Sequence, residues 1–267
     1  MKINISADAR PQVRTLLIAA AITIALWFIP FAEILTYPFR LFVTFIHEGG
    51  HAMAALLTGN SVLSLSVSPD TSGMVQSTQG GFISQSIISS AGYVGAMIYG
   101  ALLLFLIRRA VAARIVLLGS AAFILLLTVV FGLWKPLVNG LQPGVQLSGI
   151  PFTLIAGTLI ALGLIAIAKY ASARVATFFL SFLAVQCVLN ALLDLKTVFF
   201  LSSPFGPEVH TDAANMANAT GVPSMLWAVI WIGMSLMILS MAMRFYAVSQ
   251  QQNAAQQDLP FEDPLEV

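Results

Sequence analysis

The sequence predicts an all-α polytopic membrane protein of about seven transmembrane helices, with a short β-hairpin after the second helix. Of the 267 residues, 58% are hydrophobic and only 9% are charged, whereas soluble globular proteins carry about 25% charged residues. The apolar residues also lie in long segments, and one stretch between them alternates polar and apolar residues. This composition excludes a soluble enzyme and a disordered chain. The formal net charge of +1 excludes a nucleic-acid-binding domain.

Seven apolar segments approach the length of about 20 residues that a helix needs to cross a membrane. Basic residues and tryptophans near their ends are typical of the membrane interface. The predicted spans are 13–30, 34–57, 82–107, 115–133, 150–168, 175–200 and 225–246. They form one predicted membrane-embedded domain, residues 13–246. It is flanked by an N-terminal tail, 1–12, and by a C-terminal tail, 247–267, whose glutamine-rich, acidic composition predicts disorder.

Two segments interrupt the apolar pattern. Residues 60–69 alternate between polar and apolar side chains, and a turn follows at 70–73. This pattern predicts a β-hairpin within residues 59–81, with strands near 62–67 and 74–77. The second segment, 202–223, contains proline, glycine and several polar residues, and it predicts a polar loop.

The second predicted span contains the motif His47-Glu48-x-x-His51. Two histidines four residues apart project from the same face of a helix, so both imidazoles can reach one metal ion. Zn²⁺ lowers the pKa of a bound water to about 7, and Glu48 is placed to take the proton of that water. This is the arrangement of zinc proteases. Ionisable residues inside a membrane cost about 3 kcal/mol or more each and are functional by default, which argues against a merely structural motif.

Catalytic zinc usually has three protein ligands, and the sequence offers three candidates for the third. Asp194 is favoured because it lies inside the sixth apolar segment, where the only nearby basic residue is Lys196 and a carboxylate needs a cation. A structural Asp194–Lys196 pair at the helix end is the alternative. Asp212 is the reserve candidate, although a helix cap or a loop residue would also explain it. His210, in the predicted loop, is the weakest candidate.

These features together resemble the site-2 protease family of intramembrane zinc metalloproteases. The resemblance rests on the His-Glu-x-x-His motif, the hairpin that follows it, the glycine-rich Ala91-Gly-Tyr-Val-Gly95 and the late intramembrane Leu193-Asp194. The order of elements matches over residues 35–200. The chain departs from the family at Leu195, where a Leu-Asp-Gly motif has glycine, so it resembles a small, divergent member.

The resemblance implies a role for each matching residue. His47, His51 and Asp194 would bind zinc, and Glu48 would be the general base. Asn190 would contact the substrate. The two strands resemble a membrane-embedded β-element of the family that pairs with an extended substrate backbone.

The functional hypothesis is therefore an intramembrane zinc metalloprotease that hydrolyses peptide bonds of membrane protein or peptide substrates, with Glu48 acting on a zinc-bound water. The alternative is a non-catalytic metal-binding membrane protein that sequesters a partner transmembrane helix. A metal transporter is disfavoured because the sequence offers one compact ligand set and no series of intramembrane carboxylates. The expected partners are a membrane substrate and the lipid bilayer, without nucleic acid. The expected location is a bacterial cell membrane.

The sequence leaves the membrane orientation open. With the N-terminus outside, a small excess of basic residues faces inward, as the positive-inside rule prefers. The family resemblance implies the reverse orientation. In both cases the second and sixth predicted spans run parallel, so His51 and Asp194 are expected near the same membrane face.

Overall fold

α-Helices make up most of the chain in the computed structural model, which describes residues 10–26, 28–78, 80–109, 111–202 and 211–247. The helices are α1 (Arg10–Leu26), α2 (Glu33–Leu57), α3 (Phe82–Arg108), α4 (Ala113–Leu126), α5 (Lys135–Asn139), α6 (Ile150–Tyr170), α7 (Ala173–Leu201), α8 (Asp212–Thr220) and α9 (Ser224–Ala247). A π-helical stretch, Leu127–Trp134, joins α4 to α5, and a 3₁₀ turn, Leu147–Gly149, precedes α6. The two strands are β1 (Val62–Val67) and β2 (Gly73–Ser77). The predicted tails lie mostly outside the described residues.

Five segments of the described chain are long and apolar enough to cross a membrane. They are Phe82–Arg108, Ala113–Asn139, Leu147–Tyr170, Ala173–Leu201 and Ser224–Phe245, and they correspond to the third through seventh predicted spans. The prediction of seven spans is not confirmed. The apolar part of α1, Val13–Leu26, is shorter than these five. Helix α2 has 25 residues, but the charged and polar side chains of its His-Glu-x-x-His motif lower its hydropathy.

The predicted β-hairpin is confirmed. β1 and β2 pair antiparallel, with Val67 opposite Gly73 and Val62 opposite Ser77. The connecting turn is stabilised by Asp70, whose carboxylate accepts hydrogen bonds from the backbone N–H of Ser72 at 3.0 Å and from its hydroxyl at 2.6 Å. Such a short-range bond from an aspartate to the chain two residues on is typical of tight turns.

Strand β1 is fixed to the helices behind it. The hydroxyl of Thr153 accepts a hydrogen bond from the backbone N–H of Val67 at 2.9 Å. The amide of Asn139 donates to the carbonyl of Leu63 at 3.3 Å. Because β1 is held from this side, β2 is left as the strand with a free edge in this two-stranded sheet.

The hairpin turn is fixed to α2 as well. The hydroxyl of Thr44 donates to the carbonyl of Thr71 at 2.7 Å, and the guanidinium of Arg40 donates to the Thr71 hydroxyl at 3.0 Å. One turn earlier, the Tyr37 hydroxyl donates to the carbonyl of Pro69 at 2.7 Å. The turn and α2 are therefore connected along two helical turns that lead directly to the His-Glu-x-x-His motif.

Helix α3 is the central helix and packs against α2, α7, α8 and α9. Its contact with α2 is a backbone contact. A Cβ atom added at Gly50 would overlap the carbonyl oxygen of Ala91, and one added at Gly95 would lie 3.4 Å from the Cα of Gly50. Small residues permit this close approach of two helices.

The close approach at Gly50 predicts a stability difference between two glycine substitutions. Gly50→Ala should destabilise the protein by about 1–3 kcal/mol, because the added methyl group meets a backbone oxygen that cannot move aside. In the control Gly163→Ala in α6, the added methyl group meets no atom within 4 Å, and alanine favours the helix. Thermal unfolding of the detergent-solubilised protein should show a lower melting temperature for Gly50→Ala alone. Equal melting temperatures for the two variants would contradict the close α2–α3 contact.

Candidate metal centre and active site

Three side chains place one ligand atom each in a small triangle. The Nε2 atoms of His47 and His51 lie 3.1 Å apart. The Oδ2 atom of Asp212 lies 3.3 Å from each of them. In the described part of the chain, these three residues are the group of histidine, cysteine and acidic side chains that is close enough to share a metal ion.

The triangle has the dimensions of a metal site. A tetrahedral Zn²⁺ ion with ligand atoms about 2.0–2.1 Å away holds neighbouring ligand atoms roughly 3.3 Å from each other. The observed separations of 3.1–3.3 Å agree with this value. Two imidazoles and one carboxylate are also a donor set that catalytic zinc uses, with a fourth position left open. The residues present therefore fit a zinc ion.

Each histidine is oriented by a second contact. The Nδ1 atom of His51 lies 2.6 Å from the carbonyl oxygen of Ile88 in α3, so the ring donates there and directs its Nε2 atom into the triangle. The ring of His47 stands edge-on to that of Tyr93, with 4.6 Å between the centroids. Both orienting contacts come from α3.

Gly92 of α3 lies directly against the two histidines. A Cβ atom added at this position would overlap the Nε2 atoms of both His47 and His51. The absence of a side chain thus leaves room for the ligand atoms to converge. The close contact between α2 and α3 therefore continues from Gly50 and Ala91 to the candidate metal centre.

Asp212 is held by a short helix that the sequence analysis did not predict. The prediction of a loop is wrong for residues 212–220, which form α8. The hydroxyl of Thr211 caps the helix by accepting from the backbone N–H of Ala214 at 3.1 Å. At the other end Gly221 adopts φ = 73°, and its N–H donates to Ala217 at 2.8 Å. A threonine cap and a closing glycine that enclose nine residues are a sequence signal for such a helix. His210 lies outside the described residues.

Helix α8 is anchored by a second apolar cluster. Ala213 and Met216 of α8 are buried against Leu195 of α7, Tyr93 of α3 and Trp231 of α9. This cluster fixes Asp212, the first residue of α8, over the two histidines. The position of the third candidate ligand thus depends on packing among four helices.

The carboxylate of Asp212 is stabilised in its charged form. Burial raises its pKa, but the charge of His51 and the hydrogen bonds from His47 and His51 outweigh burial, so the pKa lies below its ordinary value. Asp212 is therefore an anion at neutral pH. An anionic oxygen next to two imidazoles suits a divalent cation.

Asp194 occupies a different place in the same cavity. It lies on α7 and lines the cavity, but its carboxylate is not part of the triangle of ligand atoms. Asp194 is exposed in the fold and is not enclosed by the helix packing. Asn190, one turn earlier, donates to the backbone and side-chain oxygens of Gln186 at 2.8 and 3.0 Å. Metal binding by Asp194 and substrate contact by Asn190 stay predictions.

Glu48 lies beside the triangle and is only 4% exposed. The start of β2 closes against it, because a Cβ atom added at Gly73 would overlap the carboxylate of Glu48. The hairpin backbone therefore approaches the candidate general base without an intervening side chain. The acid is held between α2 and the hairpin.

One cavity of about 850 Å³ joins these groups. Its walls come from α2, the turn and strand β2, α3, α7 and α8. The two histidines, Glu48, Asp194 and Asp212 all line it, together with mostly polar residues of the hairpin. The cavity therefore connects the candidate metal centre with strand β2.

The fold and the site define a mostly helical chain with several potential membrane spans and a His-His-Asp group beside a buried glutamate. Comparison with known proteins agrees with this description. A family model described as Peptidase M50B-like matches residues 16–139 and 149–242. The chain therefore belongs to the Peptidase M50B-like family, and the predicted resemblance to site-2 proteases is confirmed. No curated protein and no solved structure matches the chain.

The position of Gly92 predicts that a substitution there removes metal binding although every candidate ligand and Glu48 are retained. Gly92→Ala should abolish zinc binding, because the added methyl group overlaps the ligand nitrogens of both histidines. Gly95→Ala is the matched control on the same helix, since its methyl group would make an ordinary 3.4 Å contact. Elemental analysis of the purified variants measures the zinc content. Full zinc content in Gly92→Ala would show that the metal lies elsewhere.

The two aspartates are distinguished by a parallel measurement. Asp212→Ala should reduce the zinc content to near zero, because it removes one of three ligands, and Asp194→Ala should leave about one zinc ion per chain. Circular dichroism checks that both variants keep their helices. The opposite result, loss of zinc in Asp194→Ala alone, would restore Asp194 as the third ligand.

Proposed function

We propose that this protein is an intramembrane zinc metalloprotease that cleaves peptide bonds of membrane protein substrates. The observation that carries the proposal is the triangle of His47, His51 and Asp212 with Glu48 beside it, in a chain of a peptidase family. The five apolar helices support a multi-pass membrane protein. A bacterial cell membrane is the proposed location.

The proposed chemistry divides between the metal and the protein. Zinc, when bound, supplies a Lewis acid that makes water nucleophilic near neutral pH. His47, His51 and Asp212 would hold the ion. Glu48 would take a proton from the attacking water and pass it to the nitrogen of the leaving amine. The near-complete burial of Glu48 keeps bulk water from competing for this proton.

The free edge of β2 would hold the substrate. A helical substrate hides its carbonyl groups in its own hydrogen bonds, so a segment must become extended before attack. An extended segment can add to an exposed strand edge through main-chain hydrogen bonds. β2 lines the cavity along its whole length, which supports this mode of binding beside Glu48.

The role of Glu48 predicts an inactive variant that still binds metal. Glu48→Gln should abolish cleavage of an apolar fluorogenic peptide by the zinc-loaded protein, since the amide cannot accept the proton. Its zinc content should stay at that of the wild type, because Glu48 is not in the ligand triangle. Glu33→Gln, at the exposed start of the same helix, is the control and should cleave normally.

Either of two outcomes would overturn this proposal. Full activity in Glu48→Gln would exclude Glu48 as the general base. Zinc binding without any Glu48-dependent cleavage would favour the non-catalytic protein that sequesters a partner transmembrane helix.

A further inference from the structure

Tyr93 is a buried residue of the cavity wall whose hydroxyl group has no assigned role. The side chain is 8% exposed and lines the cavity. Its ring stands edge-on to the ring of His47 at 4.6 Å, with an interplanar angle of 77°. Tyr93 therefore lies directly beside a candidate metal ligand.

The ring of Tyr93 is held from its other side by α9. Its centroid lies 5.5 Å from that of Trp231. Trp231 is fully buried, and its indole N–H donates to the hydroxyl of Ser90 at 3.0 Å. Because Trp231 is fixed by both packing and a hydrogen bond, the phenol of Tyr93 is fixed between Trp231 and His47.

The Tyr93 hydroxyl makes no hydrogen bond to any residue in the described part of the chain. A buried tyrosine normally finds a partner for its O–H group. Tyr99, two turns further along α3, follows that rule, since its hydroxyl lies 2.6 Å from that of Ser120. The contrast on one helix indicates that Tyr93 is left free for a group that enters the cavity.

We propose that the Tyr93 hydroxyl donates a hydrogen bond to the oxyanion formed during peptide hydrolysis. This inference rests on the proposed function. When water attacks, a carbon–oxygen bond forms, Glu48 takes a proton and the carbonyl electron pair moves to oxygen. Collapse of this intermediate returns the electron pair, breaks the carbon–nitrogen bond and sends the proton from Glu48 to the leaving nitrogen. Tyr93 stabilises the charge between these two events and transfers no proton.

The phenol suits this role for a chemical reason. Its ordinary pKa is about 10, so it remains a hydrogen-bond donor at neutral pH. A donor that is already oriented stabilises developing charge without a cost of reorganisation. The ionised carboxylate of Asp212, which also lines the cavity, can only accept a hydrogen bond and cannot stabilise an oxyanion.

A kinetic test uses variants that keep the aromatic ring. Tyr93→Phe preserves the contacts with His47 and Trp231 and removes only the hydroxyl. In the zinc-loaded full-length protein, kcat for the apolar fluorogenic peptide should fall about 100-fold, the typical loss for one oxyanion donor. KM and zinc content should stay near those of the wild type. Tyr99→Phe, which removes a hydroxyl from the same helix but outside the cavity wall, should keep its kcat.

A binding test separates this inference from the proposed function. A phosphinate analogue of the same peptide carries an anionic oxygen in place of the carbonyl and is not cleaved. Tyr93→Phe should bind the phosphinate about 100-fold more weakly than the wild type. The uncleaved parent peptide is the control ligand. It should bind equally well to Glu48→Gln and to the double variant that carries Glu48→Gln and Tyr93→Phe. Equal phosphinate affinity, or no phosphinate binding at all by the wild type, would overturn the role of Tyr93. Absence of peptide cleavage by the wild type would overturn the proposed function alone.

Discussion

The backbone contact between α2 and α3 is the constraint on which the site depends. Gly50 lies on the carbonyl of Ala91, and Gly92 lies against the ligand nitrogens of both histidines. The same approach brings the carbonyl of Ile88 to His51 and the ring of Tyr93 to His47. Because these contacts all come from α3, side-chain bulk at its contact with α2 would disturb the packing and the candidate metal centre together.

The ligand triangle combines local and distant parts of the chain. The two histidines share a face of α2 by helical spacing alone, whereas Asp212 arrives from a nine-residue helix far along the sequence. That helix is too short to be stable by itself, so its position depends on burial against α3, α7 and α9. The position of the Asp212 carboxylate therefore depends on how those helices pack.

The sequence was informative where spacing and local pattern decide the structure. The His-Glu-x-x-His motif and the alternating residues 60–69 fix a helix face and a hairpin, and both are present. The third ligand depends on tertiary packing, which a carboxylate in an apolar segment does not reveal by itself. Asp194 faces an open cavity, and no local pattern reveals that opening. Thr211 is a recognisable N-cap in the sequence. A cap does not indicate which helices α8 packs against.

The attachment of the hairpin to α2 has a consequence for how a cleavage site would be chosen. The carbonyl of Thr71 is held by Thr44, one helical turn before Glu48, and Gly73 touches Glu48 itself. The strand edge and the Glu48 carboxylate therefore cannot shift independently. A chain paired with β2 would present its bonds to Glu48 in a fixed register, counted in residues along the strand. The choice of cleavage site would then depend more on how easily a substrate segment unwinds than on which side chains that segment carries.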